Sequence, residues 1–208
     1  MQFCYDPTGF PMIRLPALGL DVQVLPVTKV QFEQYLAQPD GLGDAWYDAV
    51  LALAPRVACF RFGEDDRERL FLTGILPAEA REYLRWLGPD YDLPTVEQWR
   101  AIHRALDELP AAVPPSSPQG SPWQARRHVG IFDALLRQLA PRNMQQLSLM
   151  EGGLVEWVRD GAIHVGLGCP RPDFLSHLYN PLIDTIRPIR PNQRLPFFGF
   201  RAVRKIQR

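Results

Sequence analysis

The chain has 208 residues, of which 46% are hydrophobic and 22% are charged, and its 23 Lys and Arg residues equal its 23 Asp and Glu residues in number. This length predicts one domain or at most two, with a sizeable core, because such a chain buries roughly 70% of its unfolded surface. Zero net charge excludes a global electrostatic attraction to nucleic acid or to an anionic membrane.

The cysteines and the N-terminal residues predict a reduced, cytoplasmic protein. Cys4, Cys59 and Cys169 are widely spaced and form no CxxC pair, which favours buried thiols over a disulfide framework. Residues 1–10 lack the basic and apolar regions of a signal peptide. No stretch approaches the ~20 apolar residues of a membrane span.

The first predicted elements are a β-hairpin and a capped helix. Short apolar segments at 12–25 alternate with turn residues, which is typical of a hairpin. Thr28 is followed three residues later by Gln31, the spacing of a helix N-terminal capping box. We expect this helix to end at 39–41.

The next stretch predicts a short helix at 44–54 and a hairpin with strands at 57–62 and 69–73. A further helix is expected to begin at Pro77, because a first helical turn tolerates proline, and to end before Gly88.

Thr95 and Gln98 repeat the capping-box spacing, and the helix they begin has an apolar face that includes Trp99. Residues 110–122 contain five prolines and no periodicity, which predicts an exposed loop inside a single domain spanning 1–208. Another helix is predicted at 131–140, followed by short strands and turns.

Two C-terminal segments are the most informative part of the sequence. Residues 150–157 read MEGGLVEW, and residues 199–204 read GFRAVR. Three upstream segments precede them in a fixed order, at 25–32, 72–87 and 93–99. Together these segments resemble the signature motifs of the formylglycine-generating enzyme (sulfatase-modifying factor) family.

The resemblance implies an α+β, C-type-lectin-like domain with short strands, several helices and much irregular structure. That family includes copper-dependent oxidases that act on a cysteine of sulfatases and iron-dependent sulfoxide synthases. It also includes ligand-binding domains and hypervariable binding proteins, so the resemblance alone leaves the activity open.

The residues for the family's oxidative chemistry are missing from the expected positions. The copper oxidases use a pair of cysteines between the two C-terminal signatures, where this chain has only Cys169. The four histidines show no metal-ligand spacing; they are His103, His128, His164 and His177. We therefore predict no catalytic residues and no resident cofactor, with calcium as the one open case.

The resemblance is the reason for considering a calcium site, because family members often bind calcium near the first C-terminal signature. Glu156 keeps the carboxylate of that motif, whereas Gly153 and Val155 replace its Asn and Trp. Loss of an amide oxygen weakens a site that needs six to eight oxygen ligands. Glu156 is the calcium candidate.

A noncatalytic binding module within a larger bacterial complex is the leading functional hypothesis. Its protein or ligand partner would contact the surface formed by 110–130 and 166–198, since aromatic and Arg side chains dominate interfaces. The candidate contacts are Trp123, Arg126, Arg127, His177, Tyr179, Arg187, Arg190, Arg194 and Phe197.

Three alternatives stay open. In the first, Arg187 and Arg194 hold their loop to the fold, as arginines at similar spacing do in the family that the chain resembles. In the second, the chain is a divergent metal-dependent oxidase that uses Cys169. In the third, it is a diversified ligand-binding protein whose sequence varies in 166–198. Neither nucleic acid nor a membrane is an expected partner.

Overall fold

In the described part of the chain, two β-sheets and several helices form a mixed α+β structure, as predicted. The structure is a computed structural model that describes residues 1–38, 43, 46, 48, 70–116, 122–150, 152–169, 179–188, 190 and 193–206. The strands are Gln2–Tyr5 (β1), Pro11–Leu15 (β2), Leu20–Gln23 (β3), Tyr91–Asp92 (β4), Val155–Asp160 (β5), Ile163–Leu167 (β6), Phe198–Gly199 (β7) and Val203–Lys205 (β8). The α-helices are Lys29–Leu36 (α1), Pro77–Leu87 (α2), Val96–Asp107 (α3), Pro122–Leu139 (α4) and Met144–Leu147 (α5).

The larger sheet has the strand order β1-β2-β3-β8-β4, and all its neighbouring strands are antiparallel. The hairpin predicted at 12–25 is confirmed as β2 and β3, with Ile13 opposite Val22. Gly19 ends the short 3-10 turn between them in a left-handed conformation, with φ of 64°, which glycine adopts without steric cost. The C-terminal strand β8 lies between β3 and β4, so the two ends of the chain share one sheet.

The smaller sheet has the order β6-β5-β7. Its strands β5 and β6 form an antiparallel hairpin, whereas β5 and β7 are parallel. Strand β6 is therefore an edge strand, and its outer side is where the candidate site lies.

The predicted capping boxes are confirmed. Gln31 donates its backbone N–H to the Thr28 hydroxyl, and its side-chain oxygen accepts the Thr28 N–H at 2.9 Å. Thr95 and Gln98 make the same pair of contacts at the start of α3. None of the described helices combines the length and apolarity that crossing a bilayer requires.

One predicted helix is wrong in its extent, because α4 begins at Pro122 rather than at 131. The sequence pattern places Pro122 in the proline-rich loop, yet proline suits the first helical position, where its missing N–H has no intrahelical partner to lose. The sequence at 122–130, expected to be part of a binding loop, is therefore helical.

Several predicted elements lie outside the described residues. These are the helix end at 39–41, nearly all of the helix at 44–54 and the strand at 57–62. Within 69–73, Phe71 forms a single antiparallel bridge with Thr28.

Among the described residues, two hydrophobic clusters fill the interior. The first packs α3, α4 and α5 against both sheets and contains Trp99, which has no exposed surface. The second is rich in aromatic rings; its members Phe32 and Tyr83 stack with ring centroids 5.1 Å apart. The apolar face predicted for α3 is confirmed by the complete burial of Ile102 and Leu106.

The α3 assignments predict two different losses of stability. Thr95→Ala should lower the free energy of unfolding by about 1 kcal/mol through loss of the N-cap. Trp99→Ala should lower it by about 3–5 kcal/mol through a core cavity. Denaturant melts measure both, with Arg85→Ala on the exposed face of α2 as the control, and equal small effects for the three variants would contradict the packing.

Candidate binding pocket and the segment that supports it

A pocket of about 340 Å³ lies beside the β5–β6 hairpin. Its volume is at the lower end of the range of pockets that bind small groups. The lining is mostly apolar, with one histidine and one arginine, and consists of Pro77, Trp157, Ala162, Ile163, His164, Arg187 and Pro188. Apolar walls with a few polar groups are typical of a binding pocket.

The segment 183–188, called the crossing segment below, pairs with β6 through its backbone and contributes Arg187 and Pro188 to the pocket lining. Gly166 and Ile186 exchange two backbone hydrogen bonds, of 2.7 and 2.9 Å. Glycine is required at position 166, because a Cβ there would lie 2.5 Å from the Phe198 ring. The close approach of β6 to the core thus depends on a single small residue.

His164 is the histidine of the pocket, and its side chain is half-buried. Burial lowers its pKa, and the nearby positive charges of Arg81 and Arg159 lower it further, whereas Asp92 opposes the shift. The imidazole is therefore mainly neutral at pH 7. Its Nε2 atom is buried and has no hydrogen-bond partner among the described residues.

Arg187 lies at the rim of the same pocket. Its guanidinium is 3.9 Å from the Asp160 carboxylate, and the two side chains are 69% and 42% exposed. An exposed pair at this distance contributes at most about 1 kcal/mol. The Arg187 charge is consequently open to a ligand that approaches the pocket from solvent.

A tightly held turn forms the start of the crossing segment. Arg100 of α3 donates hydrogen bonds to the carbonyl oxygens of Pro181, Ile183 and Asp184, at 3.2, 2.7 and 3.1 Å. Asn180 also accepts the N–H of Leu182. The turn is anchored by its backbone, while the Ile183 side chain is 74% exposed.

The structure separates the predicted contact residues by their surroundings. Arg187 and Arg190 are exposed. Arg194 is instead held by two hydrogen bonds to the Glu79 carboxylate and one to the Gly74 carbonyl. For Arg194, these contacts agree with the alternative interpretation, in which the arginine holds its loop to the fold.

Two aromatic candidates are also packed into the fold. The Tyr179 hydroxyl is buried, and burial raises its pKa. Phe197 is half-buried and lies against the Phe198 ring, with centroids 5.5 Å apart. A change at either position would test packing as well as binding.

For the remaining predicted contact residues, the structure gives only the position of the backbone or no position. Trp123, Arg126 and Arg127 lie on α4 instead of on a loop. His177 lies outside the described residues. Sequence reasoning missed Ile183 and considered His164 mainly structural, because an exposed isoleucine and a strand histidine carry no motif.

The calcium candidate Glu156 has no exposed surface, and its carboxylate is already engaged. It accepts hydrogen bonds from Arg201, at 2.7 Å for the shortest, and one from the Trp99 indole at 3.0 Å. A carboxylate that neutralises a buried arginine does not fit a calcium ligand, since the metal would have to displace that cation.

The described cysteines are not arranged as metal ligands. Cys169 is only 8% exposed, and burial raises the pKa of the Cys4 thiol to about 11, which keeps it protonated and unreactive. No group of three His, Cys, Asp or Glu side chains within the described part of the chain could hold a metal ion.

Comparison with family models and with curated proteins gives no match. No family model matches the chain, and no curated protein matches it significantly. The resemblance to the formylglycine-generating enzymes therefore depends on the order and composition of the sequence motifs.

The burial of Glu156 predicts a large effect from a minimal change. Glu156→Gln should lower the free energy of unfolding by about 3–5 kcal/mol, because it leaves the Arg201 charge buried and unpaired. Arg187→Gln, which breaks an exposed pair, should change it by less than about 0.5 kcal/mol. Chemical denaturation measures both, and equal effects would mean that Glu156 is not the partner of Arg201.

Proposed function

We propose that the chain is a noncatalytic, formylglycine-generating-enzyme-like domain that binds a partner protein in the cytoplasm, within a larger complex. The observation that supports it most directly is the segment 179–188, which is fixed at one end by Arg100 and at the other by the Gly166–Ile186 pairing. Between and beyond these anchors it exposes Ile183 and Arg187. A fixed segment loses less entropy on binding than a flexible one.

The C-type-lectin-like fold assignment is supported by the positions of the motif residues. Thr28 and Thr95 cap helices, and Trp157 and Arg201 are almost fully buried. Residues with such roles stabilise a fold, so their presence favours a shared architecture more than a shared activity.

The absence of a recognisable copper-ligand pair in the sequence supports the noncatalytic part of the proposal. Thiolates suit Cu(I), but Cys169 is the only cysteine between the C-terminal signatures,. The divergent oxidase remains the rival proposal. The diversified ligand-binding protein is a variant of the binding proposal. It would use the same surface but bind a different kind of partner.

The rival proposals make opposite predictions for copper. The purified, reduced protein should neither retain stoichiometric Cu(I) nor convert the cysteine of a sulfatase-type peptide to formylglycine. Elemental analysis measures the metal, and mass spectrometry of the peptide detects the aldehyde. Copper binding that is lost in Cys169→Ser, together with aldehyde formation, would establish the oxidase instead.

The binding proposal predicts that Ile183 contributes to affinity but not to folding. Burial of an isoleucine side chain at an interface contributes about 1.5–3 kcal/mol, so Ile183→Ser should weaken partner binding by about ten- to a hundredfold. Native partners are first captured from cell extract, and affinity is then measured with each purified candidate.

The control for this experiment is Arg85→Ser, on α2, where the side chain is 74% exposed. Both variants should melt within about 2 °C of the unchanged protein, since exposed positions contribute little to stability. Equal affinities for Ile183→Ser and Arg85→Ser would place the interface elsewhere and refute the proposed surface.

A further inference from the structure

The larger sheet has an edge strand, β1, whose outer side has no partner in the described part of the chain. This strand pairs with β2 on its inner side, and among the described backbone hydrogen bonds none joins its outer side to another segment. Gln2 is exposed, and Phe3, Cys4 and Tyr5 are half-buried. An unpaired row of N–H and C=O groups at a sheet edge can pair with a strand of another chain.

The hydrogen bonds at the closed end of the β1–β2 hairpin show which backbone groups of β1 point outward. Asp6 donates its backbone N–H to the Phe10 carbonyl, so its backbone faces β2. Residues that are two apart in an antiparallel strand direct their backbone groups to the same side. Cys4 therefore faces β2 as Asp6 does, whereas the N–H and C=O groups of Phe3 and Tyr5 face outward.

One of these outward groups is already engaged. The Tyr5 carbonyl accepts a hydrogen bond from the Arg204 guanidinium at 3.4 Å. The groups left for pairing are the N–H and carbonyl of Phe3 and the N–H of Tyr5. The carbonyl of Met1 joins them, because Met1 lies two residues before Phe3 and has the same orientation.

The sequence of β1 has none of the features that keep edge strands from pairing. Natural sheets protect their edges with charged side chains, with proline or with very short strands. At the opposite edge of this sheet, β4 has only two residues, one of them Asp92, and Pro94 follows it closely. In contrast, β1 reads QFCY, with neither a charge nor a proline. The edge at β1 is therefore the one suited to a further strand.

The unused groups of β1 complement those of a second copy of this chain in a two-fold, antiparallel arrangement. With Phe3 on the axis, the Phe3 N–H of each copy donates to the Phe3 carbonyl of the other. Each Tyr5 N–H then donates to the Met1 carbonyl of the other copy. This register needs no further acceptor, so the Tyr5 carbonyl can stay with Arg204.

The side chains are also compatible in this register. Phe3 lies beside Phe3 of the second copy, Met1 lies beside Tyr5, and no like charges face each other. Aromatic pairs and methionine–aromatic contacts stabilise neighbouring strands. Met1 is 53% exposed, and pairing would remove part of this apolar surface from water.

We propose that two copies of the chain form a two-fold symmetric dimer in which their β1 strands pair antiparallel with Phe3 on the axis, joining the two larger sheets into one. A four-residue strand makes a small interface, so the dimer is reversible and its fraction depends on concentration. The surface is separate from the segment 179–188, which pairs with the smaller sheet. The dimer therefore stands or falls independently of the proposed partner binding.

The unchanged protein provides the first test. Sedimentation equilibrium should show a monomer converting to a dimer between ~10 μM and ~1 mM, the range expected for a small interface. Amide hydrogen exchange of Phe3 and Tyr5 should slow in proportion to the dimer fraction, whereas Cys4, which faces β2, should be protected throughout. A monomer at every concentration would overturn the inference. Protection of Phe3 and Tyr5 that is independent of concentration would also overturn it, because the chain itself would then cover the edge.

A spin label locates the interface in the second test. Gln2→Cys and Gln38→Cys form a matched pair, since both glutamines are exposed, and both variants also carry Cys59→Ser. Burial raises the pKa of the Cys4 thiol to about 11, so the label reacts with the introduced thiol. Each labelled variant is mixed with isotope-labelled, otherwise unchanged protein.

The label at position 2 should broaden the Phe3 and Tyr5 amide signals of the other copy, and the label at position 38 should leave them sharp. Both variants should melt as the unchanged protein does, because exposed positions contribute little to stability. Equal broadening by the two labels, or a dimer in which neither label affects these amides, would place the contact elsewhere and refute pairing through β1.

Discussion

The buried ion pair of Arg201 and Glu156 is the interaction on which the rest of the structure depends. Neither side chain has exposed surface. The guanidinium also donates to the carbonyl oxygens of Gln23 and Ser148, at 2.8 and 2.7 Å, so its charge is surrounded by acceptors. The Trp99 indole completes the shell of the carboxylate. One cluster thereby joins both sheets, helix α3 and the turn after α5, and its cost of desolvation is offset only while every partner is in place.

This constraint also determines where the candidate pocket lies. Successive side chains of a strand point to opposite faces. Because Glu156 is held against Arg201, its neighbour Trp157 faces the other way, where it lines the pocket and donates its indole N–H to the Ile75 carbonyl at 2.8 Å. The pocket wall is therefore part of the strand that the Arg201–Glu156 pair holds in place, which favours a preformed site over one that is assembled on binding.

The C-terminal arginines show how identical side chains acquire different roles from their neighbours. Arg194 and Arg204 each pair with a carboxylate, Glu79 and Asp21 respectively, and both side chains are 24% exposed. Arg187 has only a distant, solvated partner. Composition alone does not distinguish these arginines. Their ion pairs do, because Arg187 is the one whose charge is exposed at the pocket rim.

The sequence by itself determined the features that depend on near neighbours in the chain. Thr28 and Thr95 predict the starts of their helices, because each capping box joins residues only three positions apart. The β2–β3 hairpin is predicted by the alternation of apolar and polar residues on either side of a turn. The sequence does not predict the start of α4, because Pro122 is compatible with both a loop and a first helical turn. Only the tertiary structure decided that β8 lies beside β3 and that His164 and Arg187 line one pocket. It also decided that Glu156 neutralises Arg201, which leaves its carboxylate unsuited to calcium. These pairings join residues far apart in the chain, and they are selected by burial and charge compensation, which no local spacing encodes.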